Sequence, residues 1–259
     1  MWCGLYSNDN AVVDINGTIG ELKMNIRAQM FCVWSGLGFA LLFLVAIWPT
    51  ADFMPPLAPS LSADAIAEIY RSNTLSIRFG ALLMMAASGL MCPFVAVITI
   101  QMQRIEGSPP ILSYAQLSAG TLNVVFFILP SLIWTIAAFR PERDPQLTLM
   151  LNDFAWIVFL MPFTTFIVQN FVFGITVLSD KRERPIFPRW LGYFNFWVAV
   201  LFIPGGLLTF FKLGPFAWNG LFVWWIPFVV FFAWYILMFT MLRAAVSQQA
   251  IDEEGSAPA

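Results

Sequence analysis

Histidine is absent from all 259 residues, and charged side chains make up only 11% of them. The first absence removes imidazole-ligated haem, His-based copper and di-iron centres, and acid–base chemistry that relies on an imidazole. Cysteine is almost as scarce. Cys3, Cys32 and Cys92 stand far apart without a CxxC pair, so a four-thiolate zinc or iron–sulfur site cannot be assembled. Cys32 and Cys92 fall in apolar runs and read as small buried hydrophobes. No metal site and no cofactor is expected. Basic residues are not in excess either: the net charge is −2, which argues against nucleic acid as a partner.

Soluble domains carry roughly 25% charged residues, so the deficit points away from water. What the chain has instead is apolar: 59% of residues are hydrophobic and 17% aromatic, a composition suited to lipid-facing surface and interfacial belts. A membrane helix takes about 20 mostly apolar residues. Six runs qualify, roughly 30–49, 77–102, 114–139, 154–178, 190–211 and 218–242. Polar or Pro-rich stretches such as "MPPLAP", "RIEGSPP", "RPERDP", "SDKRERP" and "KLGP" separate them. The expected fold is all-α, a polytopic bundle of six transmembrane helices. A polar extension, 1–29, precedes the bundle of 30–243, and an acidic tail, 244–259, follows it, with "QQAIDEEGSAPA" expected to be disordered. No cleavable leader is evident, since the first 23 residues lack a basic start and an apolar stretch; Met24 is an alternative start.

An even number of spans puts both ends on one side. That side collects Lys23, Arg27, Arg104, Lys181, Arg182, Arg184, Arg189 and Arg243, eight of the 13 cations. The positive-inside rule makes it cytoplasmic. On the outer side, "SADAIAEIYRSN" places Ile66, Ile69 and Tyr70 on one helical face behind a Ser62 N-cap. A short helix lying on the membrane surface is expected there. Lys212 falls where the fifth run ends and reads as an interfacial anchor beside Trp218, rather than as a mid-membrane Schiff-base lysine.

Five runs carry an interior proline: Pro93, Pro130, Pro162, Pro204 and Pro227. Proline removes a backbone hydrogen bond, so kinked helices around an internal cleft are expected. Polar groups within the runs are few. Gln169, Asn170, Asn123, Asn195 and Thr165 are costly in lipid and should face the bundle, either as packing bonds or as the lining of a ligand cavity. Asp153 and Arg78, at the outer ends of their spans, are placed to pair across the rim, and segment 62–73 to cover the mouth. No carboxylate lies mid-span, which weighs against proton-coupled transport, and no acid–base pair is spaced for hydrolysis.

The stretches "YRSNTLSIRFGALLMM", "VAVITIQMQRIEG", "AAFRPERDPQLTLMLNDFAW" and "PIFPRWLGYFNFWVAVLFIPGGLLTFFKLGPFAWNGLFVWW" resemble a family of bacterial six-span inner-membrane proteins catalogued as a domain of unknown function. The likeness runs from about Met24 to Arg243. It implies a helical protein of the bacterial cytoplasmic membrane and brings no site residues with it. Two functions follow as expectations. One is a non-catalytic protein that binds or passes a small lipophilic molecule through an intramembrane cleft. The other is an accessory subunit meeting partner helices in a larger membrane complex. An enzyme working on lipid or with a borrowed cofactor is disfavoured.

Overall fold

The computed structural model describes residues 15–255, with side chains from Asn25 onward except that of Glu254. Every described element is helical. Six segments are long and apolar enough to cross a membrane: Asn25–Thr50, Thr74–Glu106, Ile111–Phe139, Pro145–Ser179, Arg189–Phe210 and Leu221–Glu253. Such helices satisfy their backbone internally, which is what permits them in hydrocarbon. The fourth starts earlier than hydropathy suggests. Asp144 accepts from Gln146 N at 2.8 Å and Pro145 occupies the first helical position, so the cap sets the boundary.

Five of the six spans are interrupted. Helix α1 (Ile15–Val45) ends in a π-helical turn, Ala46–Thr50, around Pro49. After the short α2 (Ala63–Ser72), the second span consists of α3 (Thr74–Ser88) and α4 (Met91–Glu106), with Pro93 in the first turn of α4. The third is one helix, α5 (Ile111–Phe139), which absorbs Pro130. The fourth divides at Met161–Pro162 into α6 (Pro145–Leu160) and α7 (Phe163–Ser179). The fifth, α8 (Arg189–Phe202), tightens at Pro204 into a 3-10 helix, Ile203–Phe210. The sixth opens as a π-helical turn, Leu221–Trp225, before α9 (Ile226–Gly255). Four of the five interior prolines therefore sit at or beside a break.

Helix α5 is central, packing on α3, α4, α6 and α7. Helices α7 and α8 approach closely because Gly174 and Gly192 face each other; a Cβ on Gly174 would stand 2.9 Å from Gly192 O. The first, second and sixth spans are bonded together at one end of the bundle. Gln101 Nε2 donates to Gln29 Oε1 at 2.7 Å and to Gln249 Oε1 at 2.9 Å, and Arg104 Nη1 donates to Gln101 Oε1 at 2.6 Å. Gln249 Nε2 continues to Glu253 Oε1 at 2.8 Å. These bonds carry α9 to Gly255, so the disorder expected from Gln248 gives way to helix up to that residue. Residues 15–29 are likewise helical, continuous with the first span, while 1–14 and 256–259 lie outside the described residues.

On the opposite side α2 forms as expected, with Ser62 Oγ accepting from Ala65 N. Its apolar face does not rest on lipid. Ile66 and Tyr70 are buried, α2 packs on α6, and Tyr70 Oη donates to Asn152 Oδ1 at 3.1 Å. Burial, with the charge of Asp153 adding to it, pushes the Tyr70 hydroxyl well above its ordinary pKa and keeps it a donor. Trp218 is buried too, its Nε1 donating to Leu57 O at 2.7 Å. It clamps the loop before α2 instead of anchoring in an interface. Cys92 is exposed on its helix, not buried.

Candidate functional site

The breaks in the spans converge on one cavity of about 110 Å³, partly open and walled by residues from all six spans. Met91 follows the break in the second span, Pro162 marks that in the fourth, Gly205 lies in the 3-10 segment, and Pro227 follows the π-helical turn; all four line the cavity. More than half of the wall is aromatic. Phe127 meets Phe43 edge-on at 5.2 Å, and Phe231 packs on Tyr235 at 4.9 Å, geometries that aromatic quadrupoles favour.

Two amides interrupt this apolar surface. Asn123 and Gln169 line the cavity, and Thr165 stands behind them. Thr165 Oγ1 donates to Asn123 Oδ1 at 2.6 Å, and Asn123 Nδ2 donates to Gln169 Oε1 at 2.7 Å. Gln169 is 3% exposed. Its Nε2 lies 3.3 Å from where a Cβ on Gly120 would stand, so the glycine leaves room for the amide. No wall residue is charged. The site can bury a neutral apolar body and orient it by an amide. Tyr235 is the one ionisable side chain on the wall.

The other sequence candidates lie elsewhere. Asn170 follows Gln169 by one residue, about 100° around the helix. It donates to Phe166 O at 2.8 Å within its own helix and does not line the cavity; its Oδ1 is buried without a partner. Asn195 is a packing group: its Nδ2 donates to Leu191 O and its Oδ1 accepts from Trp234 Nε1 at 2.9 Å, which fixes a wall indole. The pairing expected of Asp153 and Arg78 is not made, because α5 packs between α3 and α6. Arg78 lies over the Phe139 ring at 5.5 Å, and Asp153 Oδ1 accepts from Asn152 Nδ2 at 3.4 Å. Helix α2 contributes nothing to the cavity wall, so segment 62–73 does not cover it.

Sequence reasoning passed over Gln116, fully buried and bonded through Oε1 to Thr99 Oγ1. The signal was available: Gln116, Gly120 and Asn123 recur at helical spacing on one face of α5. The aromatic wall carried no comparable signal, since Phe is spread through every span.

Fold and cavity together define a multi-pass, all-helical membrane protein with a partly open cavity among its spans. No family model, curated protein or solved structure matches the chain.

Proposed function

We propose that this is a non-catalytic protein of a bacterial cytoplasmic membrane, with both ends in the cytoplasm, that binds or passes a small lipophilic molecule through the cavity. The observation that carries this reading is the coincidence of helix breaks, aromatic wall and two amides at one level. Mostly apolar lining with a few placed polar groups is the usual make-up of a small-molecule site. The partly exposed wall residues Phe126, Phe163 and Phe202 lie well inside their spans, which favours entry from the hydrocarbon over entry from water.

Native mass spectrometry of the full chain, gently extracted, should show a lipophilic molecule bound beside ordinary lipids. Leu160→Trp, which places an indole in the cavity, should displace it at a stability cost of about 1–3 kcal/mol. Unchanged occupancy in that variant would sink the reading. A second reading, a subunit of a larger assembly, draws on the exposed stripe Trp190, Tyr193 and Trp197 along α8. It requires the protein to run with a partner in mild detergent.

A further inference from the structure

We propose that the cavity's occupant carries a carbonyl head, as in a quinone or a similarly conjugated ketone, and that Gln169 Nε2 donates the hydrogen bond that selects it. This rests on the cavity reading above and adds the occupant's polar atom. Gln169 is buried on the wall, its Oε1 already accepts from Asn123, and its Nε2 donates to no group among the described residues. Thr165 holds Asn123 Oδ1, which turns Asn123 Nδ2 toward Gln169 and leaves Gln169 Nε2 as the free end of the relay. Each bond in such a relay polarises the next amide, so the terminal N–H is a stronger donor than an isolated one. A buried donor in an apolar wall calls for an acceptor.

The same geometry rejects other head groups. A charged head would be desolvated against a wall without counter-charge. An alcohol or amine brings a donor of its own, which Gln169 Nε2, a donor only, cannot accept. A carbonyl needs only the donor. Size agrees: a dry cavity of about 150 Å³ is known to admit one benzene ring, and this one, at about 110 Å³ and partly open, suits a single flat ring whose tail leaves through the opening. Phe and Trp walls favour a planar, conjugated head over a bulky saturated one.

Two probes isolate the carbonyl: 2-decyl-1,4-benzoquinone, and decylbenzene with the same ring and tail. The full chain in lipid nanodiscs is titrated with each, and occupancy is read by native mass spectrometry. The quinone should bind about tenfold tighter, as one net hydrogen bond provides. In Gln169→Leu that preference should disappear while decylbenzene binds as before. Equal binding of the two probes by the wild-type chain would overturn the carbonyl assignment and leave the cavity reading standing. Binding of neither would remove both. If Gln169→Leu does not fold, the wild-type comparison alone decides.

Discussion

Lys212 and Gln169 are both lone polar groups beside long apolar runs, and depth separates their roles. Lys212 is exposed where the fifth span ends, so its charge reaches water and Lys212→Arg should leave thermal unfolding unchanged. Trp218, six residues on, behaves oppositely. Removing its N–H in Trp218→Phe leaves Leu57 O without its partner and should cost about 1 kcal/mol in unfolding free energy, with faster proteolysis of the 51–61 loop. An unchanged cleavage rate would mean that the clamp does not hold that loop. Asp180 gives a pH signature. Burial raises its carboxyl, but the Arg182 side chain and the backbone N–H groups of Ile186 and Arg182 outweigh that and hold its pKa below the ordinary value. A depressed folded-state pKa contributes stability above the unfolded value, about 3.9, and loses it as pH falls through the folded one. Thermal unfolding of the wild type should therefore drop relative to Asp180→Asn only below about pH 4. Single residues were legible in the sequence as costs, because an amide in hydrocarbon is expensive wherever it stands. Their partners were not: Asn123, Asn170 and Asn195 look alike in apolar runs, and only the fold gives one the cavity, one its own helix and one Trp234.

At the scale of elements, hydropathy located all six spans because each is a local run that must close its own hydrogen bonds. Proline located most of the breaks for an equally local reason. Pro130 shows the limit. Enclosed by four neighbouring helices, α5 stays continuous across it, so neighbours, not the residue, decide whether the helix parts. The close approach of α7 and α8 was legible only as small residues in apolar runs. In Gly174→Ala the new Cβ would stand 2.6 Å from the Phe196 ring and 2.9 Å from Gly192 O. The ring can yield but the carbonyl cannot, so the helices must separate, at a cost of about 1–3 kcal/mol. Thermal unfolding in detergent reads this directly, and a wild-type midpoint would show that the interface has slack.

In the molecule as a whole, the first, second and sixth spans are tied by the Gln29–Gln101–Gln249 bonds, which put the start of the first span and the end of the sixth on one side. That bond set fixes the parity of crossings but not their direction. Direction depends on charge outside the hydrocarbon, eight cations on the side of the chain ends against five on the other, and the dense 180–189 loop carries most of the difference. Each set includes one local ion pair among the described residues: Arg71 lies 3.8 Å from Glu68, and Arg182 lies 2.9 Å from Asp180. Reporter fusions after Arg104, Arg184 and Arg243 should therefore read cytoplasmic, and fusions after Asp64 and Arg143 should read outside. Charge reversal of Lys181 and Arg184 to Glu should weaken this bias before it disturbs the bundle, since both side chains are exposed. Arg104 should not behave like them, because its guanidinium is spent on Gln101 within the buried network. A fusion after Arg184 that reads outside in the wild-type chain would invert the whole arrangement and place the cavity's amides toward the opposite leaflet.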